Sequence, residues 1–433
     1  MSIAKGFTEN DQKKANGDEQ LEKVFLVGAE LKSKSQWDVH ESLEELASLA
    51  QTAGGEVVGE GIQKLDRPYS GTFIGKGKAE EFAAECSAKS VDTVIFDDEL
   101  TPGQGRNLEH VFDRKIIDRT SLILDIFAQR ARTKEGKLQV ELAQLQHLLP
   151  RLTRFWTHLS RQKGGIGMRG DGESQLETDR RRIQERISRL SEELDHVRKH
   201  RSVQRQGRRR NNWPLASIVG YTNAGKSTLL NTLTGAEVQA EDKLFATLDP
   251  TTRKLRLGTN QKVLLSDTVG FIRKLPHRLV EAFKATLEEV AEADLLVHVV
   301  DISHPQADQQ IEAVNDVLAE IGAQDKPTLM VFNKIDQLET PDILHQYTSQ
   351  YSPSVAISAA RKQGFEELET QLANSLRPIR TTLNLTIPVT EASVIARLHE
   401  VGQVLSLKYE DDRACIEARI PPHRLEEFTH YTQ

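Results

Sequence analysis

From Val24 to about Thr120, apolar runs of strand length alternate with segments of helical spacing. The runs VFLVGAEL, EVVGEGI, VDTVIFDD and RKIIDRT predict strands. ESLEELASLAQTAGG predicts a helix stopped at Gly54 and Gly55, and KAEEFAAECSAK and GQGRNLEHVF predict two more. Strands separated by helices imply an α/β domain on a mostly parallel sheet, spanning residues 21–135. The polar residues 1–20 lack the apolar stretch of a secretory signal and are expected to be disordered.

The pattern then changes period. Leu138, Leu142, Leu145, Leu149, Leu152, Phe155 or Trp156, and Leu159 recur at three- and four-residue steps, with Pro150 placed to kink the helix. A second seam runs through Leu176, Ile183, Ile187, Leu190, Leu194 and Val197, the heptad place near Arg180 being polar. Between them KGGIGMRGDGES is too rich in glycine for a helix. Residues 136–205 therefore read as an antiparallel helical hairpin with a glycine-rich tip. A buried two-helix layer is the alternative, and helix length with paired seams favours a projecting arm. HVRKHRSVQRQGRRRNN, with seven Lys/Arg and no acid, ends that helix and supplies a linker at 206–213. It is either solvated or in contact with RNA.

Residues 214–378 repeat strand, loop and helix: LASIVG, a glycine-lysine loop and KSTLLNTLTG, then KLRLGT and KVLLSDTVG as a strand pair, then DLLVHVVD, PTLMVFNKID and SVAISA. A small α+β domain of βαββα pattern follows at 379–433, from TLNLTIPV to HRLEEF. With 433 residues, 38% hydrophobic and 28% charged, the chain is too long for one core. Its net charge of −7 makes any nucleic-acid contact local to a basic patch, and no DNA partner is expected. Cys86 and Cys415 are too few and too far apart for a disulfide framework or zinc finger, which fits a reducing cytosol. No apolar run reaches the length of a membrane span, so membrane association is at most peripheral, and a monomer is expected.

GYTNAGKST runs from Gly220 through Tyr221, Thr222, Asn223, Ala224, Gly225, Lys226 and Ser227 to Thr228. It stands between a strand and a helix, where glycines let backbone N–H groups close around phosphates and the helix N-terminus adds positive potential. In such a loop Lys226 reaches the β- and γ-phosphates and the Ser227 hydroxyl ligates Mg²⁺. The stretch Asp267, Thr268, Val269, Gly270 closes a later strand. There Asp267 would hold Mg²⁺ through water, and the Gly270 N–H would meet the γ-phosphate. Asn333, Lys334, Ile335 and Asp336 close another. A carboxylate at Asp336 accepts from guanine N1–H and N2–H₂, a pattern adenine lacks, so GTP is selected over ATP. Ser358, Ala359 and Ala360 follow the last strand and would cap the base. The Mg²⁺-binding switch hydroxyl must come from LFATLDPTTR, and Thr247, Thr251 and Thr252 are all candidates there.

The chain resembles the HflX family of ribosome-associated GTPases from about Val24 to the end of the GTPase domain. The resemblance rests on FIGKGKAEE, IIDRTSLILDIFAQRARTKEGKLQVELAQL, GGIGMRGDGESQLETDRRRI, GYTNAGKSTL, LFATLDPT and DTVGFIRKLPH. Asp171 and Ser174 stand where the family more often has Pro and Thr. The resemblance implies that Thr247 is the switch threonine and second Mg²⁺ ligand, with Phe245, Ala246, Leu248 and Asp249 beside the nucleotide. It implies that the N-terminal domain and arm dock on the large ribosomal subunit, the tip approaching the peptidyl-transferase region. Arg161, Lys163, Gly164, Gly165 and Arg169 at the tip, and Arg180, Arg181 and Arg182 beyond it, are the implied ribosomal RNA contacts. The implied activity is separation of stalled or stress-damaged ribosomes, or help in subunit maturation, with ATP turnover secondary.

One residue departs from the expected chemistry. Ras-like GTPases place a water-orienting Gln after the glycine of Asp267–Gly270, and here Phe271 stands there. Slow intrinsic hydrolysis is expected, with the missing group supplied by the large subunit, and Arg253 and Arg273 are internal candidates. Two other classes compete: a nucleotide-driven RNA remodelling enzyme, and a nucleotide-gated adaptor for a membrane protease.

Overall fold

A computed structural model describes the chain apart from residues 1–20, 32–38, 153–170, 211–212, 236–243, 246–247, 249–250, 258–260, 275–283, 339, 377–380, 411, 421–424, 426 and 433. The expected N-terminal disorder and the glycine-rich tip lie outside the described residues. Contacts divide the chain into two compact units, one of residues 1–129 and 140–188 and the other of 130–139 and 189–433.

In the first unit β1 (Glu22–Leu31), β2 (Gly55–Leu65), β3 (Thr93–Phe96) and β4 (Lys115–Asp118) form a parallel sheet in the order β2-β1-β3-β4. The helices α1 (Val39–Ala53), α2 (Lys76–Ala88) and α3 (Pro102–Phe112) supply the crossovers. Residues Val24 to Ala29 of β1 are consecutively buried, as a strand covered on both faces requires. Helix α3 starts at a capping box: Gln104 N donates to Thr101 Oγ1, and Thr101 N donates back to Gln104 Oε1. Helix α4 (Arg119–Arg130) follows β4 directly, a helix for which the sequence reading made no provision. Its first residue is a buried arginine held by Asp97 at 2.7 Å and by Glu45, and Ser42 Oγ donates to the other Asp97 oxygen at 2.6 Å.

Helices α5 (Lys134–Leu152, enclosing Pro150) and α6 (Asp171–Arg210) occupy the region of the two seams. Leu138 and Leu142 are buried on α5, and Ile183, Leu190 and Leu194 on α6. Within the first unit Arg186 forks onto Glu141 at 2.7 and 2.9 Å, joining the two helices side by side. Helix α6 runs to Arg210, so residues 206–210 are helical where a linker was expected. Arg180, Arg181 and Arg182 are exposed on α6.

In the second unit the main sheet has the order β10-β9-β8-β5-β7-β6. Its strands are β5 (Leu215–Gly220), β6 (Thr251–Arg256), β7 (Lys262–Asp267), β8 (Leu295–Asp301), β9 (Thr328–Asn333) and β10 (Ser354–Ala356). All pairings are parallel except β6 with β7, the strand pair expected from the sequence, which is antiparallel. After β5 the chain builds β6 and β7 on one side, then crosses to β8 on the other. That reversal opens a crevice at the carboxyl end of β5, where α/β sheets take their ligands. Helices α7 (Lys226–Thr234), α8 (Lys284–Ala291), α9 (Ala307–Glu320), α10 (Pro341–Gln350) and α11 (Phe365–Ser375) connect the strands.

The last sheet, β11 (Thr381–Pro388), β12 (Gln403–Glu410) and β13 (Arg413–Ile420), is antiparallel in the order β11-β13-β12. With α12 (Ala392–Val401) it encloses Leu385, Ile387, Leu398, Ile416 and Phe428. The closing helix expected from HRLEEF lies largely outside the described residues, and a 3-10 turn follows at Thr429–Tyr431.

Asp125 on α4 has its carboxyl pushed up to about 6 by burial, with Lys115 opposing and Glu22 adding to the rise. A raised carboxyl pKa penalises the folded state once the pH exceeds the unfolded value, and the penalty is complete above about pH 6. Asp125→Asn should therefore stabilise the fold at pH 7 by about 2–3 kcal/mol, an advantage absent at pH 3. Urea unfolding at the two pH values checks it.

Candidate functional site

The loop after β5 is shaped by positions where a side chain does not fit. Gly220 has φ +150°, and a Cβ there would lie 2.2 Å from the Val299 carbonyl oxygen. Gly225, at φ +93°, begins α7, and its Cβ would lie 2.2 Å from Asn333 Nδ2. Asn223 is left-handed at φ 59°. The loop between closes on itself: Lys226 Nζ donates to the Tyr221 carbonyl oxygen at 2.6 Å. Lys226 is buried, which lowers its pKa to about 8 against the opposing pull of Asp267.

Ser227 in the first turn of α7 donates its hydroxyl to Asp267 Oδ2 at 2.7 Å. Asp267 ends β7 and is fully buried. A hydroxyl and a carboxylate brought together from opposite sides of the loop form an all-oxygen donor set, the type Mg²⁺ takes. Thr228 is half-buried behind them. Of the switch candidates, Thr252 lies within 3.4 Å of Glu289 and 3.5 Å of Ser266, so its hydroxyl is engaged within the sheet. Thr251 pairs with Asp267 across β6 and β7. Ala246, Thr247 and Asp249 lie outside the described residues, while Phe245 and Leu248 are buried.

The other flank is joined by one amide. Asn333 Nδ2 donates to the Ala224 carbonyl at 2.8 Å, and Asn333 Oδ1 accepts from Ala359 N at 3.0 Å. Lys334, left-handed at φ 65°, places Nζ 2.7 Å from Asp301 Oδ2. Ile335 N donates to the Ile357 carbonyl at 3.3 Å, opening the short 3-10 turn that carries Asp336. Asp336 meets Arg361 Nε at 3.3 Å, and the Arg361 amide donates to Ser358 Oγ at 3.1 Å. Ser358 and Ala359 are buried and Ala360 exposed. Asp301 and Arg361 were absent from the sequence reading. Neither stands in a recognisable spacing, and only the fold brings them to this loop.

Phe271 has a definite role here. Its ring is buried, and its backbone extends the sheet onto the phosphate loop as a parallel bridge with Tyr221. Phe271 N donates to the Gly220 carbonyl at 3.1 Å, and Thr222 N donates to the Phe271 carbonyl at 2.8 Å. Arg273 N donates to the Tyr221 hydroxyl at 2.9 Å, and Thr268 Oγ1 to the Ile218 carbonyl at 2.7 Å. Val269 is buried between these contacts. Position 271 thus serves as a packed backbone anchor. Arg253 is exposed on β6.

A strand–loop–helix phosphate cradle, a serine–aspartate pair and an Asn-Lys-x-Asp turn on one sheet end define a P-loop GTPase. Three family profiles match in register: "GTP-binding GTPase N-terminal" over residues 40–128, "GTP-binding GTPase Middle Region" over 130–208, and "50S ribosome-binding GTPase" over 216–334. GTPase HflX of Lacrimispora saccharolytica is 49% identical over 92% of this chain and 94% of its own. That of Escherichia coli K12 is 47% identical over 88% and 90%. Among solved structures, the GDP complex of SsGBP shares 27% identity over 82% of this chain and 98% of its own, at a TM-score of 0.46. The chain belongs to the GTPase HflX family.

Replacing Phe271 by Gln should leave single-turnover hydrolysis within about twofold of wild type while lowering the thermal midpoint, because a buried amide enters an apolar position. A tenfold faster rate in the variant would show that the side chain at 271 reaches the attacking water.

Proposed function

We propose that this protein binds GTP and GDP with Mg²⁺ at the head of the main sheet, hydrolyses GTP slowly alone, and docks on the large ribosomal subunit in the GTP state. The observation that carries the nucleotide reading is the convergence on Asn333 of the phosphate loop and the Ser358–Ala360 loop, with Asp336 one turn away. Ser227 and Asp267 are the residues that would hold Mg²⁺, with Thr247 joining them on family resemblance. Bound there, the ion would neutralise charge developing on the phosphates. Lys226 supplies a fixed positive charge to the β- and γ-phosphates, and Gly270 leaves room for its own N–H to approach. Asp336 accepts from the guanine edge, and Ala359 and Ala360 border the base.

Ribosome docking is supported by family membership and by the profile described as ribosome-binding over residues 216–334. The N-terminal unit and helical arm are the proposed contact, through Arg161, Lys163, Gly164, Gly165 and Arg169 at the tip and Arg180, Arg181 and Arg182 on α6. The Arg181–Glu185 pair at 3.9 Å is long and exposed on both sides, and Arg180 and Arg182 are themselves exposed, so these arginines remain available to phosphates. The role proposed is separation of stalled or stress-damaged ribosomes, or assistance to subunit maturation, by a cytoplasmic monomer. Among the described residues no helix is long and apolar enough to cross a membrane.

Two measurements test this. With a non-hydrolysable GTP analogue the protein should pellet with large subunits, steeply less so as salt rises, and deletion of Gly164–Gly172 should leave it in the supernatant. Equal pelleting of both proteins would remove the arm as the recognition element. Added large subunits should also raise GTP turnover, by about 10³-fold or more if they supply the missing group. Unchanged turnover would remove the activation.

A further inference from the structure

Thr222 sits at the third position of the phosphate loop, in a site that its packing alone does not explain. The residue is 6% exposed, and its Oγ1 is enclosed with no hydrogen-bond partner. A hydroxyl stripped of water without compensation weakens the fold, so such a group in a ligand cleft is one held ready for a ligand atom. Its surroundings identify which atom. A Cβ built on Gly270 would lie 2.9 Å from Thr222 Cγ2, 3.0 Å from Thr222 Cα and 3.1 Å from Lys226 Nζ. The threonine side chain, the Gly270 α-carbon and the Lys226 ammonium therefore border one small volume. One staggered χ1 step carries the threonine hydroxyl into the place the methyl holds, the methyl moving to the third staggered position.

Two neighbouring hydroxyls are already engaged. Ser227 is bonded to Asp267, and Thr268 to the Ile218 carbonyl. The Thr222 amide is occupied too, since it donates to Phe271. Any further hydrogen bond donated from position 222 must come from its side chain. A terminal phosphoryl group spreads its charge over three oxygens and needs several donors. Lys226 and the Gly270 amide are two donors in reach of that place. The Thr222 hydroxyl is a third.

Resting on the nucleotide reading above, we propose that Thr222 Oγ1 donates a hydrogen bond to a γ-phosphoryl oxygen, which makes this side chain one of the elements that distinguish nucleoside triphosphate from diphosphate. GDP carries no group at that position and gains nothing from the hydroxyl. GTP does, because the bond is made to an ionised oxygen inside a buried cleft.

The full chain with Mg²⁺, titrated with fluorescent GDP and with a fluorescent non-hydrolysable GTP analogue, tests this in three variants. Thr222→Val keeps the shape and deletes the hydroxyl, and Thr222→Ser keeps the hydroxyl and deletes the methyl. Thr222→Val should lower the ratio of analogue affinity to GDP affinity by about tenfold or more. Thr222→Ser should keep the wild-type ratio of the two affinities. The thermal midpoint without nucleotide should be equal or higher in Thr222→Val, because an uncompensated buried hydroxyl has been removed. A purely structural threonine gives the opposite pattern: valine acts as wild type toward both nucleotides, or weakens both equally. Either result overturns the proposal while leaving the nucleotide site intact. Loss of all binding in Lys226→Ala, against firm GDP binding by wild type, confirms that the titration reads this cleft. A wild-type chain that binds neither nucleotide sinks the site and the threonine together.

Discussion

The buried carboxamide of Asn333 is the constraint on which the nucleotide cleft depends. Its nitrogen donates to the phosphate loop at Ala224 and its oxygen accepts from Ala359. Both polar ends are therefore satisfied inside the protein, which is the condition for burying an amide without penalty. The same side chain leaves no room for a Cβ at Gly225, so the start of α7 is held against it by shape as well as by hydrogen bonding. Loops that end three different strand–helix connections are thereby fixed to one another.

The N-terminal unit handles buried polarity in the same way. A parallel sheet covered on both faces leaves its strand ends as the place for polar side chains. Asp97 follows β3, and Arg119 follows β4. Arg119 is compensated by Asp97 and Glu45, and Asp118 by Arg151 and Ser121. Asp118 loses hydration by burial, yet the Arg151 guanidinium and the Ser121 hydroxyl hold its pKa below the usual carboxylate value. Removing either cation would strand a carboxylate in low dielectric, which costs more than an exposed pair contributes.

Much of this is legible in the sequence. Glycines with a lysine and serine at set offsets, between a strand and a helix, admit few other readings, and Ser227 does meet Asp267. The four N-terminal strands, the β6–β7 strand pair and the leucine seams follow from period alone. Other features were not legible, for separable reasons. Helix α4 abuts β4 without a turn signal between them. Arg361 reaches Asp336, and Lys334 reaches Asp301, through a meeting of strand ends that no local spacing encodes. Phe271 reads as a missing catalytic amide, and only backbone pairing shows it as the residue that closes β7 onto the phosphate loop.

The cleft is braced unequally along its length. On the side proposed for the purine, Asn333, Lys334 and Arg361 hold partners within the protein at 2.7 to 3.3 Å. Preorganisation of this kind removes the ordering cost of docking the base. Both nucleotides share that base, so their arrival should meet the same small barrier. Any difference between the two is then expressed in how long each stays rather than in how fast it is captured.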